Sequence, residues 1–309
     1  MHMTTAIKPD LTSNLVNKVL SIKPLFDFAK HQARDMMIKR AQKIGVNWHQ
    51  EVEKLQARDW SNDLAQVQNP QLTYPDYYLT SFHAYETGNM SWQAAFEVES
   101  AAYAVHAKVW PDFLPDGDAK LRQSYHHILK TFITQTPKDI LDLGCSVGMS
   151  TFALQAIYPQ SQITGLDLSP YFLAVANYRS QQSPQYQNSI NWLHAAAEST
   201  GMPDNSYDLV SIFLMCHELP QSATQKIFVE ARRVLRPGGH LTIMDMNPQS
   251  EIYKKMPTYV FTLLKSTEPY LDDYFTLDME KILIDAGFKA PSMTSNSPRH
   301  RTIIAQVVK

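Results

Sequence analysis

Two groups of residues in this sequence have the types and spacing that chemistry needs. The first is the turn Asp142-Leu143-Gly144-Cys145-Ser146-Val147-Gly148, which closes an apolar run beginning at Asp139. A buried strand that ends in small residues and feeds a helix holds nucleotide-like ligands, because a missing Cβ admits close backbone approach. Asp167 closes the next apolar run, at the spacing of about twenty residues where a carboxylate accepts hydrogen bonds from both hydroxyls of a ribose. The second group follows a later apolar run in "CHELP", with His217 and Glu218, and is joined by Asp245 at the end of the run after that. A histidine that titrates near neutrality suits a general base, and it equally suits a helix cap or a backbone anchor. Glu218 reads as a structural carboxylate, and Asp245 as a base or a loop anchor. The two cysteines, Cys145 and Cys216, have no metal-ligand spacing and read as small core residues, so no metal is expected.

The turn also discriminates between ligands. A nicotinamide dinucleotide prefers G-x-G-x-x-G, and here Ser146 and Met149 stand at the second and third glycine positions. Adenosylmethionine has no phosphate and asks less of the turn. Its amino-acid end needs backbone contacts and a carboxylate for its ammonium, which Asp142 can supply directly or through water.

The elements that must hold these residues follow from the periodicity. From Asp118 onward, short apolar runs alternate with amphipathic helical patterns: DILDLGC, SQITGLDLS, INWLHA, YDLVSIFLM and HLTIMDM as strands, and RTIIAQVVK as a terminal strand. That alternation predicts an α/β fold with a largely parallel sheet and helices on both faces. Before it, 11–109 reads as mainly helical, with Gly45 stopping one helix and Ser91 capping another. Pro111, Pro115, Asp116 and Gly117 mark a boundary, giving an N-terminal helical, aromatic-rich segment over 1–116 and a ligand-binding domain over 117–309. Tyr74, Tyr77, Tyr78, Phe82, His83, Tyr85 and Trp92 crowd one stretch of the N-terminal segment. They read mostly as packing onto the sheet domain, and alternatively as a lid in which His83 or Tyr85 touches a substrate.

Composition excludes several partners. Lys plus Arg number 28 against 30 Asp plus Glu, for a net charge of −2, and no basic face stands out, so no nucleic acid is expected. No apolar stretch approaches the roughly twenty residues that span a bilayer, and no signal-like h-region opens the chain, so a cytoplasmic protein without a membrane partner is expected. Oligomeric state is open, with a homodimer one possible arrangement.

In order and spacing, DILDLGCSVGMST, ITGLDLSP, MPDNSYDLV and EARRVLRPGGHLTIMD resemble the successive motifs of class I S-adenosylmethionine-dependent methyltransferases, most closely the small-molecule group that includes quinone-biosynthesis C-methyltransferases. The likeness runs from about Leu121 to the C-terminus. It implies a Rossmann-like seven-stranded sheet with an antiparallel last strand, and S-adenosylmethionine as cofactor. It places Asp142, Gly144, Cys145, Ser146 and Gly148 around the methionine end, Asp167 on the ribose and Leu168 against adenine. Met215 and Cys216 would face the cofactor. The family's adenine-binding Asp aligns with Ala196, which leaves the Ala197 backbone or Glu198 for that task. Family members place acceptor-selecting parts before the first strand and after the fifth, here the N-terminal segment and the aromatic-rich stretch 247–277. The resemblance thus implies an enclosed site that methylates oxygen or carbon of an apolar small molecule, with His217, Asp245 and His83 as catalytic candidates. A protein side-chain methyltransferase and a non-catalytic cofactor binder are the other readings.

Overall fold

Apolar runs too short for helices pair into the central sheet of the computed structural model, which describes residues 23–80, 85, 87–186 and 189–308. The strands are β1 (Asp139–Leu143), β2 (Gln162–Asp167), β3 (Ile190–His194), β4 (Tyr207–Phe213), β5 (Leu235–Met246), β6 (Ser292–Ser295) and β7 (His300–Gln306). They form one sheet in the order β3-β2-β1-β4-β5-β7-β6. The first five run parallel; β7 lies antiparallel to β5, and β6 to β7. Strand order reverses between β1 and β4, so the crevice outside their carboxyl ends is where such a sheet binds ligands.

The helices are α1 (Lys23–Lys43), α2 (Trp48–Gln56), α3 (Ser61–Val67), α4 (Trp92–His106), α5 (Gly117–Phe132), α6 (Met149–Ile157), α7 (Pro170–Gln181), α8 (Gln221–Val234), α9 (Glu251–Lys254), α10 (Thr258–Lys265), α11 (Leu271–Thr276) and α12 (Met279–Asp285). On one face Ile227, Phe228 and Ala231 of α8 and Leu283 of α12 pack with Leu141, Val210 and Ile243. On the other, Leu121, Tyr125 and Leu129 of α5 and Leu154 of α6 pack with Ile140, Leu209 and Met244. Tyr125 is fully buried and its hydroxyl meets Ser211 at 2.9 Å and Thr242 at 2.7 Å, which fastens α5 to β4 and β5. Among the described residues no helix is long and apolar enough to cross a membrane.

The N-terminal helices dock on α7. Ile38, Ala41, Trp48, Trp60 and Phe96 share a core with Phe172 and Val175. Trp60 stands at its centre, 5.4 Å from Trp92, 5.5 Å from Phe96 and 5.4 Å from Tyr178 between ring centres.

Several elements depart from the periodicity. The helical pattern of the N-terminal segment breaks between Gln56 and Ser61, where buried Trp60 leads the chain into α3. β5 begins at Leu235 and runs through Pro237-Gly238-Gly239, with a register shift against β4. The stretch 247–277 holds three short helices, and β6, reading SMTS, has no apolar run to betray it.

Gly117 has a specific reason to be glycine. A Cβ there would overlap the carbonyl oxygen of His106 and come within 2.7 Å of its carbon and 2.8 Å of the Ala107 Cα, all of them backbone atoms. Gly117→Ala gains about 1 kcal/mol of helix propensity, but overpacking against rigid backbone costs about 1–3 kcal/mol. The expected outcome is a lower melting temperature in thermal denaturation; an unchanged or raised value would mean the α4–α5 corner is not close-packed.

Candidate functional site

The glycines of the turn are there for shape. Gly144 and Gly148 have φ of +69° and +86°, and Ser146, the non-glycine between them, also sits at +51°. A Cβ on Gly144 would land on the Met215 side chain, and one on Gly148 would lie 2.7 Å from Trp192 and 2.9 Å from Phe152. This path turns the Ser146 N–H back onto Asp167 Oδ2 at 2.7 Å.

Asp142 stands one residue before the end of β1 and Asp167 ends the adjacent β2, and both are buried. Asp142 Oδ2 accepts from Ser150 at 2.6 Å and Thr151 at 2.7 Å, while its Oδ1 is sealed from water without a partner. Asp167 Oδ1 accepts from the Ser169 N–H at 2.8 Å and lies 3.4 Å from the Tyr78 hydroxyl. Burial pushes both carboxyls up to about 6, against the hydrogen bonds that favour their ionised forms.

The segment 69–80 crosses this end of the sheet as a strap. The Asn69 N–H donates to His194 Nδ1 at 2.8 Å, Tyr74 meets His194 Nε2 at 3.3 Å, and the Tyr77 hydroxyl donates to Glu198. A second cover comes from 247–277, where Tyr253 and Phe261 pack on Phe275 at 5.1 Å and 4.9 Å. The two covers touch where Tyr77 meets Tyr270 edge-on at 6.4 Å.

Beyond β4 the chain makes a tight turn through Leu214, at φ +57°, into a short 3-10 helix, Cys216–Glu218. Asp245, fully buried near the end of β5, holds both ends of His217: Oδ2 accepts its backbone N–H at 3.2 Å and Oδ1 its ring Nδ1 at 2.7 Å. Tyr274 lies edge-on to the ring at 6.3 Å. Burial works to lower the His217 pKa, but the Asp245 charge and hydrogen bond, with Glu268 and Glu218, outweigh it and push it up to about 10. His217 is therefore an imidazolium at neutral pH rather than the near-neutral base its residue type suggests. Burial holds nearby His300 in the opposite state, down to about 3.

The structure thus brings Asp142, Gly144, Ser146, Gly148 and Asp167 together, with Met215 packed on Gly144. Cys145, Leu168 and Ala197 line the same end as buried residues. Leu168 contributes its carbonyl to His194 at 3.0 Å, and Glu198 is engaged by Tyr77. Cys216 is buried in the core with Leu219 and Tyr274. His217 and Asp245 form one unit. Tyr85 points away, 3.0 Å from Glu97 in α4. His83 lies outside the described residues. Among the described residues no cluster of His, Cys, Asp and Glu is placed to hold a metal. Periodicity does not single out Tyr78 or His194.

Comparison with known proteins fits this geometry. Residues 141–243 match the family model described as a methyltransferase domain. The chain is 27% identical over 47% of its length to a demethylmenaquinone methyltransferase of Staphylococcus haemolyticus. It is 29% identical over 41% of its length to a phthiotriol/phenolphthiotriol dimycocerosates methyltransferase of Mycobacterium leprae. It covers 62% and 44% of those two proteins, so it spans about half the length of the curated relatives it matches. Among solved structures, a Haemonchus contortus phosphoethanolamine N-methyltransferase 2 shares the fold with a TM-score of 0.53 at 15% identity, over 72% of this chain and 60% of that one.

The His217–Asp245 pair makes a prediction independent of any ligand. A pKa raised in the folded state contributes stability that is complete below the unfolded value near 6.5 and is lost as pH rises through about 10. Asp245→Asn removes the stabilising charge, so NMR titration should show the His217 ring titrating at least about two units lower. A ring that titrates unchanged would remove Asp245 as the cause.

Proposed function

We propose, on the premise that this chain belongs to the class I S-adenosylmethionine-dependent methyltransferase family, that it transfers a methyl group from S-adenosylmethionine to oxygen or carbon of an apolar or aromatic small molecule. The observation that carries this reading is the charged His217–Asp245 pair beside an aromatic cover, at the same carboxyl end of the sheet as Asp142 and Asp167.

The residues present fit the cofactor. A sealed, unpartnered carboxylate oxygen on Asp142 asks for a donor, as the ammonium of an amino acid provides, and Asp167 stands at the next strand end for a ribose. The backbone of Cys145 and Ser146 lies between them, Leu168 offers an apolar surface for adenine, and Ala197 or Glu198 borders its edge. When bound, S-adenosylmethionine supplies a methyl on a positively charged sulfur, already activated toward attack. The protein then has to align the acceptor and exclude water.

His217, already protonated, cannot serve as a base in this state. Its Nε2–H instead suits donation to the oxygen of an acceptor that has already released its proton to water, which stabilises the phenolate or enolate. That anion attacks through oxygen or, by delocalisation, through ring carbon. Asp245 holds the ring and balances its charge. Tyr253, Phe261, Tyr270, Tyr274 and Phe275 give the cover an apolar character that fits a planar or lipophilic acceptor. The relatives named for demethylmenaquinone and for phthiotriol dimycocerosates support a small-molecule acceptor of this kind.

Formation of S-adenosylhomocysteine with a panel of phenols and quinols is the direct test; activity confined to peptides or amines would overturn the acceptor class. His217→Ala should lower turnover by about tenfold or more while sparing cofactor affinity. Asp167→Ala should weaken cofactor binding, measured by calorimetry, by about 1–3 kcal/mol. Because Asp142 and Asp167 take up protons near pH 6, affinity should be flat above about 7 and fall as pH drops through about 6. Affinity independent of pH over that window would remove both carboxylates from the site.

A further inference from the structure

A concave surface on the N-terminal segment is strongly one-sided in charge, and it shares no residue with the turn, the strap or the cover. It is a groove of about 660 Å³ between α1 and the chain that leaves α4. Lys39, Arg40 and Lys43 line it from the last turns of α1, and Lys108 lines it from beyond α4. Asp35 is the one carboxylate among the lining residues. Among the described residues none of the four cations is paired with a carboxylate. Arg40 donates instead to two thioethers, Met36 at 3.3 Å and Met37 at 3.7 Å, and the Lys108 ammonium lies 5.2 Å from the centre of the Phe113 ring.

Thioethers are weak acceptors, so the Arg40 donors are left for a stronger one. Lys39 and Lys43 sit on one helix face about 6 Å apart along the axis, within the roughly 8 Å screening length of physiological salt. A groove gathers such charges around one volume and focuses their field on it. Lys108 arrives from a separate stretch of sequence, so the cluster exists only in the folded chain. Two further observations narrow the ligand. Met36 is 47% exposed and lines the groove with half-buried Phe113, an apolar wall for an organic group. Asp112 and Asp116 are exposed on the same loop as Lys108, where a long polyanion leaving the groove would meet them. A compact anion with several charges in one place, as linked phosphates carry, avoids them and engages all four cations.

We propose that this groove is a second ligand site, for a compact organic polyphosphate with the size and charge of a nucleoside di- or triphosphate. The phosphates lie among Lys39, Arg40, Lys43 and Lys108, and the ring lies against Met36 and Phe113. S-adenosylmethionine has no phosphate, so this site and the proposed function stand or fall separately.

Calorimetry with uridine triphosphate, tripolyphosphate, uridine and a hexaglutamate peptide checks each part, with and without saturating S-adenosylmethionine. Uridine triphosphate should bind about tenfold or more tightly than uridine or hexaglutamate, more tightly than tripolyphosphate, and equally well in the presence of S-adenosylmethionine. Lys39→Gln with Lys43→Gln, both at exposed positions, should weaken uridine triphosphate by about tenfold or more. Met36→Ala should narrow the gap between uridine triphosphate and tripolyphosphate while leaving the latter unchanged. Hexaglutamate binding as tightly as uridine triphosphate would make the groove a surface for an acidic protein and overturn the assignment. Displacement of uridine triphosphate by S-adenosylmethionine, affinity indifferent to the double lysine substitution, or no binding of either phosphate ligand would also overturn it.

Discussion

Asp142 and Asp167 stand at the carboxyl ends of neighbouring parallel strands in a place almost closed to water, and a carboxylate there is tolerable only where donors surround it. Much of the surrounding architecture answers that demand. The turn adopts three left-handed residues within five positions, which aims a backbone N–H at Asp167. The first turn of α6 delivers Ser150 and Thr151 to Asp142. The strap brings Tyr78. Even so the demand is only partly met: one Asp142 oxygen and the Ser146 hydroxyl have no partner, and both acids are still pushed up to about 6. A site built to be completed by a polar ligand has this signature.

What the sequence made legible depended on how local the signal was. Asp167 could be placed because it closes an apolar run at the right distance from a glycine turn. The sheet's first four strands were readable for the same reason, each being an apolar run too short for a helix, whereas only the HLTIMDM part of β5 was. β6 was not, because SMTS carries no period and owes its place to pairing with β7. Tyr78 is one aromatic among several in a proline-rich stretch, and nothing in that stretch distinguishes the residue that reaches Asp167 from its neighbours. In α5, Leu121 and Tyr125 are buried while Phe132, at the helix end, is exposed, although all three are apolar.

The state of His217 shows the limit most clearly. Residue type alone sets it near neutrality. Its actual charge is set by Asp245, brought alongside only by the pairing of β4 and β5, and by Glu268 from the cover. Position beyond the strand was readable; protonation was not, because it is a property of the assembled neighbourhood. That difference changes the chemistry from proton removal to stabilisation of a negative oxygen.

The strap has a thermodynamic consequence. With the Tyr78 hydroxyl beside Asp167 and Tyr77 bonded to Glu198, the strap occupies polar groups that the proposed cofactor's nucleoside would use. Any such ligand competes with a tethered phenol, so its apparent affinity equals its intrinsic affinity scaled by the fraction of molecules in which the strap has withdrawn. On the proposed cofactor reading, affinity would then be adjustable from the N-terminal segment without altering a single residue of the sheet. Substitutions that loosen the docking of Trp60 and its neighbours on α7 would shift that fraction from a site well outside the crevice.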